Sequence, residues 1–251
     1  MTWVETISAS FSARHDESAA DDAHRVLQSL ERTRQDLERL FPHVPGELTI
    51  VLHDGAAGLV FAKPTVPLAW LGTAPAARRY IVGAGGRHEL HMLRPAVLRD
   101  RASNVPGSRE MLDASAACLY ARRVILASNR DLARVMPPLR LRRELRWAWL
   151  LEGGARFFGG QTGHARPAIA RRLREGGRPS FPPGLRDAAL LGGTVIDLIA
   201  REQGMAAAAR FVCRLEPGGP RAALARAFGG RSVVHSEGAW RSHLSRLAAA
   251  Q

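Results

Sequence analysis

The chain is almost without lysine: of 36 basic side chains only Lys63 is one, and the others are arginines. Abundant alanine accompanies this bias. A GC-rich coding sequence produces that pairing, which weakens any argument from charge alone. Cysteine is scarce too. Cys118 and Cys213 lie far apart in apolar runs, which excludes a disulfide framework and a cysteine-spaced metal motif. They read as small buried hydrophobes in a reducing compartment. No apolar run is long enough to span a bilayer, and the N-terminal stretch has no basic start followed by an apolar core, so a cytoplasmic location and no membrane partner are expected. Internal repeats and low-complexity segments are missing. So are a nucleophile elbow GxSxG and a phosphate loop GxxxxGK[ST]; Gly83-Ala84-Gly85-Gly86 lacks the spacing of the latter.

What remains is ample for a core. The chain has 251 residues and is 46% hydrophobic, which places it with globular proteins. Its net charge of +13 favours anionic partners such as nucleic acid or acidic lipid. The arginines, however, are scattered among acids along helices rather than gathered in one tail.

In chain order, residues 2–13 alternate in polarity as one strand would, and Asp16 to Ser18 offer caps for an amphipathic helix over 19–40. Leu48 to His53 reads as a buried strand. Residues 54–75 read as loop with a helical turn. Arg79 to Val82 and Glu89 to Leu93 read as two strands joined across Gly83 to Gly86, and 95–106 as a connection. From Ser108, a plausible N-cap, helices dominate: 108–127, a linker at 129–138 broken by Pro137-Pro138, 142–160, 167–175, 187–203, 205–215, 221–228 and 238–250. The expected fold is α+β: a small mixed sheet with one long helix in residues 1–106, then a mainly helical part in 107–251, forming one compact unit.

The helix over 142–160 carries Glu152 on a face with Leu145, Ala148, Ala155 and Gly159. A carboxylate buried unpaired on such a face costs several kcal/mol, so it needs a metal, a cation or a proton.

The pattern Trp149-Leu150-Leu151-Glu152-Gly153-Gly154-Ala155 resembles the third-ligand helix of gluzincin metallopeptidases, the peptidase MA-like group. Asp22-Ala23-His24-Arg25-Val26-Leu27, then Leu30-Glu31, then the strand at 48–53 resemble the start of such domains. The run Ala223 to Gly229, then Glu237, Trp240 and Leu244, resembles their end. The resemblance implies a zincin-like fold with a groove between the sheet edge, the Ser108 helix and the Glu152 helix. In active relatives a peptide or protein segment lies along that edge, and such relatives are often exported.

It also implies an HExxH on the Ser108 helix, where two histidines hold zinc and the Glu serves as base. That helix contains no histidine. The motif falls on Leu119-Tyr120-Ala121-Arg122-Arg123, so ligands and base are absent, and Glu152, Tyr120, Arg122, Arg123 and Trp149 mark a degenerate site. Arg122 or Arg123 is the expected partner of Glu152. Alternatively Glu152 faces a wet groove or pairs with Arg143, Arg146 or Arg156 on its own helix. His88-Glu89-Leu90-His91 is one residue short of HExxH and reads as an edge strand with surface histidines. His88, His91 and His164 remain candidate metal ligands. The other histidines, His53 among them, are dispersed. Three functions follow: a catalytically inactive peptidase-like binding or structural protein without cofactor, a zinc-dependent hydrolase with relocated ligands, and a basic protein for an anionic partner.

Overall fold

The computed structural model describes residues 2–133 and 136–249. The fold is α+β: a five-stranded sheet near the N-terminus and a helical remainder. The strands are β1 (Trp3–Ile7), β2 (Phe11–Asp16), β3 (Leu48–His53), β4 (Gly83–Gly85) and β5 (Glu89–Leu93), in the order β1-β2-β3-β5-β4. The central strands β2, β3 and β5 are parallel, and both edge strands are antiparallel to their neighbours.

The expected single strand over 2–13 is in fact a hairpin. The alternation runs unbroken through Ser8-Ala9-Ser10 and hides the turn, which is held by Ser8 N–H donating to the Phe11 carbonyl. Glu31 accepts from Ser8 and from Ser10 N–H, both at 2.7 Å, and ties this turn to the following helix. The expected strand over 79–82 is displaced onto the glycines themselves. Gly83 is squeezed between the β5 backbone and Leu119, where a Cβ would clash with both.

The helices are α1 (Ala20–Glu38), α2 (Ala56–Ala62), α3 (Thr65–Gly72), α4 (Pro75–Arg78), α5 (Pro95–Arg101), α6 (Ser108–Asp113), α7 (Ser115–Ser128) and α8 (Arg130–Ala133). They continue as α9 (Pro137–Arg146), α10 (Ala148–Phe158), α11 (Gln161–His164), α12 (Arg166–Arg174), α13 (Leu185–Gln203), α14 (Met205–Val212), α15 (Pro220–Ala227) and α16 (Val233–Ala249). Residues 54–78 are more helical than their sequence suggests. In α3 apolar residues point in every direction, with Leu68 and Leu71 left exposed, so no 3.6-residue period marks the helix. The 95–106 connection contains α5. The Ser108 helix breaks at Ala114, and Gly107, not Ser108, takes the N-cap position. Pro137 and Pro138 open α9 instead of forbidding it, since proline is tolerated in a first turn. Of the expected linker, Arg134 and Val135 lie outside the described residues, as does Ala250 of the last helix.

The expected helix over 142–160 is broken at Trp147 into α9 and α10. α9 runs over the surface with Leu145 exposed, whereas α10 runs through the interior. One straight helix cannot serve both environments.

A single core joins the two parts. One face of the sheet (Phe11 and Ala13, Leu48 to Leu52 in alternation, Leu90 and Met92) meets Ala23, Val26, Leu27 and Leu30 of α1. Tyr120 of α7 packs edge-on against Phe11, ring centres 5.0 Å apart. α10 lies between α7 and α13. Gly153 and Gly192 bring the α10 and α13 backbones into contact: a Cβ on either would run into the other helix. Gly192→Ala is therefore expected to cost about 3 kcal/mol, the upper range for overpacking because rigid backbone is what must yield. Denaturant unfolding of the variant beside the parent checks this, and a change under about 0.5 kcal/mol, the scatter of neutral surface substitutions, would contradict the close crossing.

Candidate functional site

Glu152 sits at the middle of α10 on the side facing α7. There α7 presents Ser115, Cys118, Leu119 and Arg122, spaced at three and four residues as one helix face requires. Arg122 Nε donates to Glu152 Oε1 at 2.6 Å, and its Nη2 donates to Glu144 Oε2 of α9 at 3.1 Å. Arg140 Nε in turn donates to Glu144 Oε1 at 2.9 Å. The chain Glu152–Arg122–Glu144–Arg140 thus ties α10, α7 and α9 together through alternating charges. Arg122 and Glu152 are 25% and 31% exposed, so the pair is half-buried rather than sealed.

On the other side of Glu152, Arg156 donates from Nη1 to the Tyr80 carbonyl at 3.1 Å and to Gln161. Burial pushes the Glu152 carboxyl up, but the charges of Arg122 and Arg156 and the bond from Arg122 outweigh it, so the carboxyl lies below its ordinary value. Burial raises the Cys118 thiol to about 11, which leaves it a neutral thiol. The space enclosed by Tyr80, Gly83, Arg122 and Glu152 is about 20 Å³, room for about one water.

Several expected site residues lie elsewhere. Tyr120 points to the sheet side of α7, with its hydroxyl donating to the Pro45 carbonyl at 2.7 Å. Arg123 donates to the Arg87 carbonyl at 2.9 Å. Trp149 is buried against Trp147 and Phe211. The helix pair facing Glu152 at one-turn spacing is therefore Cys118 and Arg122, one residue earlier than the 119–123 placement. Helix periodicity fixes spacing but not rotation, so only packing reveals this. Arg143 donates to the Asp131 carbonyl, away from Glu152.

The histidine candidates do not converge. β5 is an interior strand, because β4 covers the edge expected at β5. His88 is exposed at its start, while His91 is buried and pairs with His53 of β3, Nδ1 to Nε2 3.1 Å, with the rings stacked 5.3 Å apart. The other His91 nitrogen faces Glu89 at 3.3 Å. His164 ends α11 and lines a different cleft. Among the described residues no three His, Cys, Asp or Glu side chains are grouped to hold a metal ion. Sequence reasoning also missed Glu144, although Arg140 and Glu144 stand at i and i+4, a spacing that signals a pair. The His53–His91 pair had no such signal, because it depends on which strands become neighbours.

Glu152→Gln is expected to cost about 2 kcal/mol at pH 7, between the values for exposed and buried pairs. A carboxyl held below its unfolded value of 4.5 contributes stability above that pH and loses it as pH falls through the folded value. The difference between parent and variant should therefore shrink below pH 4.5 in parallel melts. A difference constant down to pH 3 would refute the ionised pair.

Burial, and then each other's charge for His53, hold both His53 and His91 below the usual value of 6.5. Neutral in the fold, they cost stability as pH drops below 6.5, where only the unfolded chain takes up protons freely. A His53→Gln/His91→Gln variant should show a flatter stability profile between pH 6.5 and 5 than the parent, and an equal slope would exclude the pair from this role.

Comparison with protein-family models, with curated proteins and with solved structures gives no match, so the site is read from its own residues.

Proposed function

We propose that this chain is a catalytically inactive relative of the gluzincin, peptidase MA-like metallopeptidases, with a binding or structural role. The observation that carries the reading is the Arg122–Glu152 bond at 2.6 Å. In the resembled family a glutamate at this point of this helix gives its oxygen to zinc. Here a guanidinium takes that oxygen, and a second cation against the same carboxylate would meet Arg122 and Arg156. The α7 face opposite Glu152 offers a hydroxyl, a neutral thiol, a leucine and an arginine. It holds neither the imidazoles that bind zinc nor the carboxylate that takes a proton from water, so metal-assisted water activation has no parts there. The reading extends to a reducing, cytoplasmic setting, supported by two unpaired cysteines; among the described residues no helix is long and apolar enough to cross a membrane.

The zincin-like part of the proposal makes a constructive test. Cys118→His together with Arg122→His would place two imidazoles one turn apart on the face opposite Glu152. Elemental analysis after zinc loading and dialysis should find far less than one zinc per parent chain and close to one per double variant. Adding Glu152→Gln to that double variant should remove the metal. Stoichiometric zinc in the parent would overturn the inactive reading. A folded double variant without zinc would overturn the zincin-like geometry.

A further inference from the structure

On the far side of Tyr80 from Glu152 lies a cleft of about 590 Å³, within the range of small-molecule sites. α12 lines it with Arg166, Pro167, Ala170, Arg171 and Arg174. Arg79 and the loop between α5 and α6, including Val105 and Pro106, also line it. His164 stands at the rim, and no carboxylate lines the cleft among the described residues. Of the lining arginines, Arg171 is balanced by Glu175 of the same helix at 3.2 Å. Arg79, Arg166 and Arg174 make no ion pair among the described residues.

Two further features make the site more than a charged dent. Arg101 is near enough to Arg79 to be repelled by it, and its Nε is buried without an acceptor among the described residues. Burial, and then repulsion from Arg79, pull its guanidinium below the ordinary arginine value. Two like charges thus repel one another in partial burial, Arg79 lining the cleft and Arg101 outside its lining, which is unfavourable unless an anion offsets them. In addition, α12 begins at the cleft with no side-chain cap from Ala165, so the positive end of its dipole adds to the arginines where Arg166 and Pro167 form the lining.

We infer that this cleft binds a small multivalent organic anion, carrying phosphate or paired carboxylates on a short apolar body. Guanidinium forks from α12 and from Arg79 match the oxygens of such groups, and Val105, Pro106 and Pro167 suit the remainder. The site is concave and local, unlike the extended basic face that a nucleic-acid backbone requires. It is separate from the Arg122–Glu152 site and does not depend on the reading of that site.

Inorganic pyrophosphate is the probe. It would be titrated calorimetrically into the full chain and into Arg79→Gln, Arg174→Gln and Arg32→Gln variants. Arg32 is exposed on α1 and removes the same charge away from the cleft. Saturable binding is expected, weakened tenfold or more by Arg79→Gln and Arg174→Gln and less than twofold by Arg32→Gln. Failure to bind pyrophosphate at millimolar concentration would overturn the inference. So would equal weakening by Arg32→Gln, which would mean diffuse attraction to net charge. A second readout is the melting temperature without ligand. Arg101→Gln should raise it by relieving the repulsion and should diminish the further rise on adding pyrophosphate. A lowered melting temperature, or an undiminished rise, would remove the argument from Arg79 and Arg101.

Discussion

The structure depends on α10 being packed against two helices at once. Against one, Gly153 meets Gly192 of α13 backbone to backbone, and against the other Glu152 reaches Arg122 of α7. The first contact admits no side chain and the second requires a charge partner. Adjacent residues therefore obey opposite demands, and together they fix both the distance and the rotation of the helix. With α10 so held, α7 is placed by it from one direction and by Phe11 and Leu119 contacts to the sheet from the other. The sheet and the helical part are coupled through α7, which explains why one core spans both.

Much of the polarity in this interior is handled by pairing, although Ser115 Oγ and Trp149 Nε1 are buried without a partner among the described residues. Arg172 grips both oxygens of Asp187, at 2.5 and 2.9 Å, where each side chain is almost fully buried. The Arg122 network does the same less deeply. His53 and His91 satisfy one another as neutral rings. An arginine-rich composition lends itself to this, because a guanidinium can serve two acceptors on different elements, as Arg122 does for α9 and α10. Of the arginines around the α12 cleft, Arg79, Arg166 and Arg174 make no ion pair among the described residues and so stand outside this pattern.

The α+β class, the buried strand over 48–53 and the helices Ala20–Glu38 and Leu185–Gln203 were legible because each carries a clean period or a short β-branched run bounded by turn residues. The helix 185–203 ends at Gly204 as its sequence announces. Of the features that were not legible, three show the physical reason. The Ser8–Ser10 turn lies inside a continuous alternation. The break at Trp147 marks a passage from surface to interior that local periodicity does not register. The β4 strand is built of glycine and alanine, residues with little strand preference, and exists because only a bare backbone fits against Leu119. At the candidate site the need of Glu152 for a metal, a cation or a proton was legible from its apolar neighbours. The choice of Arg122 over Arg123 required the rotation of α7.

The bareness of β4 bears on what could ever lie beside it. An extended peptide that joins a sheet draws its affinity from main-chain hydrogen bonds repeated along the edge. β4 is three residues long and antiparallel to β5, so its outward side presents backbone groups for only one or two such bonds. With no side chain beyond a methyl at Ala84, it has almost nothing with which to read sequence. A guest held there would be gripped weakly and without discrimination, so selective recognition by this fold has to come from side chains elsewhere on its surface.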